Sequence, residues 1–114
     1  MEVLICPAQG PKVTRDRHAV ELISEAYQQG ATLIVIPVER LEPDFFELKT
    51  RMAGEILQKF VNYRIRVAIL GDISGYLAES TSLRDFVLEA NRGNQLWFVA
   101  SLDELGDRLK QPML

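Results

Sequence analysis

Leu33-Ile34-Val35-Ile36-Pro37-Val38, LIVIPV, is an unbroken apolar run rich in Ile and Val. Such a run is too short for a long helix and lacks the in-out alternation of a half-solvated strand. It is the signature of a strand buried on both faces, as in a parallel sheet covered by helices. The residues before it change period. From Asp16 to Gln29 the apolar positions Ala19, Leu22, Ile23, Ala26 and Tyr27 fall at i, i+3, i+4, i+7 and i+8. That is one helical stripe, and Gly30 follows as a stop signal. Earlier still, Val3–Cys6 reads as a short strand ended by Pro7 and the Gly10-Pro11 turn.

The alternation continues downstream. A second helix is predicted within Asp44–Asn62, with Met52, Ala53, Ile56, Leu57 and Phe60 on one stripe. Val67–Leu70 is the third strand and closes at Gly71-Asp72. Ser82 with Asp85 has capping-box spacing and predicts the start of a third helix, which carries Leu83, Phe86, Val87 and Ala90 and stops at Gly93. Leu96–Ala100 is the fourth strand. Ser101 and Glu104 repeat the capping-box spacing before a last helix with Leu102, Leu105 and Leu109; the tail Gln111–Leu114 is expected to fray. Strand and helix in strict alternation predict an α/β fold, a single domain with a mostly parallel four-stranded sheet and covering helices.

Bulk properties narrow the function. The chain has 114 residues, 47% hydrophobic and 25% charged, with a net charge of -3. That size suits one core, and the charge favours neither nucleic acid nor anionic membrane as partner. Cys6 is the only cysteine, so no internal disulfide forms, and a small buried residue is expected there. His18 is the only histidine and has no second ligand with which to share a metal; its expected role is at a helix start. No apolar run approaches a membrane span, and the N-terminus lacks a signal-peptide pattern, so the expected location is cytoplasmic. Gly10 alone in the first strand-to-helix turn is not a dinucleotide fingerprint, and no P-loop is present. No cofactor or metal is therefore expected.

Pro43–Tyr63, PDFFELKTRMAGEILQKFVNY, is the most distinctive segment. Asp44 and Glu47 have the spacing of a helix start, and Glu55 and Lys59 that of an i, i+4 ion pair. Gly54 falls in mid-helix, where glycine costs about 1 kcal/mol against alanine, which implies a close approach to that backbone. Phe45 and Phe46 are adjacent and are not expected to face the same core, so one is assigned to a neighbour or a partner. Thr50 stands close to the helix start. Asp44, Phe45, Phe46, Thr50, Gly54, Glu55 and Lys59 thus form a candidate partner-binding surface. Asn62, Tyr63, Asp72 and Ser74 form an alternative candidate, a small-ligand pocket at strand ends.

The strings PDFF, LKT, AGEILQKF and NY between Pro43 and Tyr63, AILGDIS (Ala68–Ser74), SLRDF (Ser82–Phe86) and ANRGNQLWFV (Ala90–Val99) resemble the bacterial family called domain of unknown function 4180. The likeness runs from about Ala19 to Leu109; the N-terminal part is shorter than the family pattern, with a hairpin remnant expected at Lys12-Val13. At the level of pattern the chain is also similar to STAS-type domains, the fold of anti-sigma-factor antagonists. That likeness implies a STAS-like fold and a phosphorylatable hydroxyl at a helix start, for which Thr50 is the nearest match. A phosphate there would add about -1.5 to -2 charge. The paired Asp-Ser of the antagonists is missing.

These readings favour a non-catalytic regulatory or protein-interaction domain acting through the 44–63 surface, with an unidentified protein partner or a homodimer. The alternative is a small-ligand sensor. An uncharacterised hydrolase using Asp44 or Glu55 is the weakest reading.

Overall fold

The computed structural model describes residues 2–110; the tail expected to fray lies outside them. Four strands, β1 (Glu2–Ile5), β2 (Ala31–Pro37), β3 (Arg66–Leu70) and β4 (Leu96–Val99), pair in the order β1-β2-β3-β4, every pairing parallel. Five helices connect or follow them: α1 (Asp16–Gln29), α2 (Met52–Asn62), α3 (Ser74–Glu79), α4 (Thr81–Arg92) and α5 (Leu102–Leu109). The α/β reading holds. Each predicted strand is recovered within two residues at either end, and α3 is additional.

The strands alternate between two cores. Leu4, Ile34, Ile36, Val67, Ile69, Leu96 and Phe98 point to one face and pack with Ala19, Leu22, Ile23 and Ala26 of α1, Ala53, Ile56 and Phe60 of α2, and Leu83 and Val87 of α4. Leu33, Val35, Ala68, Trp97 and Val99 point to the other face and pack with Leu105 of α5. Burying one such aliphatic or aromatic side chain is worth about 1.5–3 kcal/mol, so LIVIPV, enclosed on both sides, anchors the domain. The crossover helices α1, α2 and α4 thus share one face because the strands are laid down in chain order with one crossover hand. Only the last helix lies on the opposite face.

Helix ends follow their local chemistry. Gly30 takes a left-handed φ of 71° after α1. His18 accepts the Thr14 N–H through Nδ1 at 3.0 Å, the helix-start role expected of it. Ser101 Oγ accepts from Glu104 N at 3.1 Å, and Glu104 Oε1 accepts from Ala100 N at 2.7 Å. The α4 expectation shifts by two residues: Ser80, not Ser82, is the cap, accepting from Leu83 N at 3.1 Å. The short α3 ends at Glu79, which leaves Ser80 extended and free to cap.

The largest departure is in the predicted second helix. Only Met52–Asn62 is α-helical; before it come 3₁₀ turns at Val38–Arg40, Pro43–Phe46 and Leu48–Thr50. Asp44 and Glu47, three apart, close a 3₁₀ turn through Glu47 N and Asp44 O at 3.2 Å. The Lys12-Val13 expectation also changes. Val13 makes a single parallel bridge to Leu41, with its N–H on Arg40 O at 2.7 Å.

Candidate functional site at the carboxyl edge of the sheet

The segment from Asp44 to Lys59 is divided: Phe45 and Phe46 are buried in the core, while Gly54, Glu55 and Lys59 line one open face. Phe45 and Phe46 are 2% and 4% exposed, so neither is offered to a partner. The tight 3₁₀ turn sets the two rings edge to face, centroids 5.2 Å apart, and Phe46 stacks on Tyr76 of α3 at 4.3 Å. A 3₁₀ turn sets consecutive side chains about a third of a revolution apart, so both are buried only because other elements cover the second ring, with Tyr76 of α3 stacked on Phe46. Thr50 is exposed, but its hydroxyl is used locally. It sits 2.7 Å from Asp44 O and 2.8 Å from Glu47 O as donor, and accepts Met52 N–H at 3.2 Å. Thr50, one residue before the Arg51 cap of α2, therefore meets the first helical N–H, a role expected of Asp44.

The close approach expected at Gly54 is made by neither the sheet nor another helix of the described residues. A Cβ built there meets nothing within 4 Å, so no part of the chain approaches that backbone. Glu55 and Lys59 do not pair; the ion pairs among the described residues are Glu47–Lys49 at 3.8 Å and Glu89–Arg92 at 3.5 Å. Gly54, Glu55 and Lys59, with Arg51, Gln58 and Asn62, instead line an open groove of about 730 Å³.

The alternative pocket is divided by the sheet. Asn62 and Tyr63 end α2, before β3 begins, and Asp72 and Ser74 follow its end. Five strand residues rising about 3.3 Å each hold the pairs at opposite edges. Asn62 Oδ1 takes Gln58 Nε2 at 2.9 Å, and Tyr63 O takes the Tyr27 hydroxyl at 2.6 Å. The first is local to α2, and the second ties the end of α2 to α1.

Asp72 and Ser74 do belong to a pocket, with different neighbours. A cavity of about 360 Å³ opens at the carboxyl ends of β3 and β4. Its apolar lining is Ile73, Leu77, Val87, Phe98 and Val99, and its polar lining is Asp72, Ser74, Asn91 and Glu104. Chain direction creates it. After β3 the chain turns through Gly71 to α3 and α4 on one face; after β4 it turns through Ala100-Ser101 to α5 on the other. Adjacent strands whose exits diverge leave a crevice, the usual ligand position in open parallel sheets.

Each polar group there is held. Asp72 Oδ1 accepts Ser74 N–H at 2.9 Å, and this bond keeps its carboxyl below the ordinary range and ionised at neutral pH. Asn91 Oδ1 accepts Phe98 N–H at 2.8 Å, satisfying the free side of the edge strand, which leaves the amide NH₂ available. Glu104 caps with one oxygen and keeps the other. Gly71 has a φ of 141°, and a Cβ there would stand 2.8 Å from Val38 Cγ2. The floor of the pocket is therefore set by a position that only glycine fills without strain.

The model of the family described as Domain of unknown function (DUF4180) matches residues 1–109. The chain belongs to that family. No curated protein and no solved structure matches it, so the STAS likeness rests on sequence pattern alone.

In this DUF4180 domain the pocket residues that sequence reasoning missed are Asn91 and Glu104. Glu104 was visible only as a capping partner, and Asn91 carried no signal because its role depends on an unpaired strand edge. Arg40 was also missed. It is the one charged residue in the buried class among those described. No group of three or more His, Cys, Asp or Glu among the described residues is placed to hold a metal. No helix among them is long and apolar enough to cross a membrane.

Proposed function

We propose that this domain is a non-catalytic, regulatory small-ligand-binding module whose site is the pocket between the diverging exits of β3 and β4. The observation that carries this reading is the position of an apolar-lined cavity at the one place where neighbouring strand exits part. The polar lining favours binding over chemistry. The Ser74 bond lowers the Asp72 pKa further below the carboxylate range, away from that of a general acid, and one oxygen of Glu104 is committed to Ala100. The ligand class that fits is a small molecule with an apolar body and hydrogen-bond donors for the two carboxylates. A thermal-shift screen of metabolites on the wild-type protein and on Val87→Trp, which fills the cavity, tests it. A ligand that raises the midpoint of the wild type by mass action and not that of Val87→Trp is expected. Equal shifts in both proteins, or none across a broad panel, would sink the reading.

A second reading concerns the outer face of α2, and the occupant it commits to is a second copy of the chain. Gly54 leaves room for close approach, and Glu55 and Lys59 are unpaired within the chain. An antiparallel pair of α2 helices about a two-fold axis would set Glu55 of one copy against Lys59 of the other. Sedimentation analysis is expected to give a dimer that Gly54→Leu or Glu55→Lys weakens and that Glu55→Lys with Lys59→Glu restores. A monomer at high concentration, or a dimer indifferent to Gly54→Leu, would refute it.

A further inference from the structure

The carboxyl ends of β1 and β2 hold a charge that makes no ion pair among the described residues. Arg40 is 8% exposed. Its Nε donates to Pro11 O at 2.6 Å and its Nη1 to Pro7 O at 3.0 Å, so the guanidinium holds the loop after β1 from inside. Gly10 lies against it; a Cβ on Gly10 would stand 3.0 Å from Arg40 Cζ. A guanidinium carries five N–H donors, and these bonds use two of them. No carboxylate comes within 4.0 Å of it among the ion pairs of the described residues. Among the described residues no buried side-chain nitrogen or oxygen is both sealed from solvent and unpartnered, so the unused donors face open space.

That space is a pair of adjoining cavities of about 180 and 270 Å³, which share Pro11, Leu22, Glu25 and Arg40 in their walls. Burying a cation without a counter-charge is costly, and the pocket offers an anion the bidentate face that arginine presents to carboxylates. The rest of the lining selects among anions. Glu25 borders both cavities, and Glu21 and Lys12 border the smaller. Lys12 Nζ already donates to Glu39 O at 2.7 Å. Two carboxylates at the rim disfavour a dianion such as phosphate. They favour a ligand that brings its own positive charge.

We propose that the Arg40 cavity binds a small zwitterion of the α-amino-acid class, its carboxylate on the free guanidinium donors and its ammonium on Glu25. This site is separate from the pocket at β3 and β4. Cys6, at the cavity wall, takes no part as a nucleophile, because burial pushes its thiol up and outweighs the opposing pull of Arg40.

Amide and arginine Nε NMR spectra of the full chain, titrated at constant ionic strength with glycine, L-alanine, acetate, methylamine or inorganic phosphate, test the proposal. Saturable shifts confined to Cys6–Val13, Glu21–Glu25 and Arg40 are expected with glycine and alanine. Acetate and methylamine should each bind at least fivefold more weakly. Arg40→Lys should weaken glycine binding tenfold or more. Glu25→Gln, a change at an exposed residue, should abolish the preference for glycine over acetate without unfolding the domain. Shifts that stay linear in every probe, phosphate or acetate binding as tightly as glycine, or an unchanged preference in Glu25→Gln would each overturn it. Shifts at Gly71–Ser74 instead would report the other pocket and would count against this one.

Discussion

The two halves of the sheet end differently at their carboxyl edges. After β1 and β2 the chain turns toward the same helical face, and the gap between the exits is filled by the Pro7–Pro11 loop, pinned from within by Arg40. After β3 and β4 the exits part, and no side chain fills the gap. One half is a charged clamp beside small cavities, and the other an apolar-lined crevice. The contrast teaches that a sheet with perfectly regular strand order acquires its crevice from the final connection alone. Had the last helix joined the others, Val99 and Ala100 would lead into the same layer as Gly71-Asp72.

The difference can be broken most severely at Gly71. An alanine there adds a Cβ 2.8 Å from Val38 in a backbone region disfavoured for side chains. Unfolding in urea should show a loss of about 2–4 kcal/mol. Gly10→Ala probes the other half at a similar φ of 144°, but its Cβ would stand 3.0 Å from the end of the Arg40 side chain, a looser contact than that at Gly71. A smaller loss of about 1–2 kcal/mol is expected in the same measurement, and equal losses would mean that both turns are equally rigid. Ser101→Ala removes the cap that starts α5 on its separate face; chemical denaturation should report about 1 kcal/mol. The smallest effect concerns Asp72. Its pKa is depressed in the folded state, so its contribution is complete above the unfolded value and fades as pH falls through the folded one. The gap in midpoint between wild type and Asp72→Asn should therefore shrink toward zero on acidification, and a gap that widens would contradict the Ser74 bond as its cause.

What was legible in the sequence was whatever periodicity controls. Leu33–Val38 and the α1 stripe announce the sheet and its cover because burial acts on every residue of an element at once. The stretch from Asp44 to Thr50 misleads because a spacing of three serves a 3₁₀ turn as well as an α-helical cap, and only the surrounding contacts choose. The same contacts bury Phe45 and Phe46 together, since Tyr76 comes from a short helix with no strong signal of its own. The site was half visible. Asp72 and Ser74 sit at a strand end that any reader would mark, but their true neighbours Asn91 and Glu104 arrive through α4 and α5. Asn62 and Tyr63 seemed close only because a strand was not counted as a distance. Arg40 was invisible because its partners are two carbonyls 29 and 33 residues earlier in the chain, and carbonyls leave no mark in composition.

The strand order β1-β2-β3-β4 has a consequence for how the molecule is made. Every strand pairs with the one synthesised just before it, so each strand-helix-strand unit can dock as it emerges, without waiting for a distant segment. The face that carries Leu33 and Val35 stays open until α5, the last described helix, has left the ribosome. A chain cut short before Leu102 would expose that apolar face to its neighbours, and aggregation rather than simple unfolding is its natural fate.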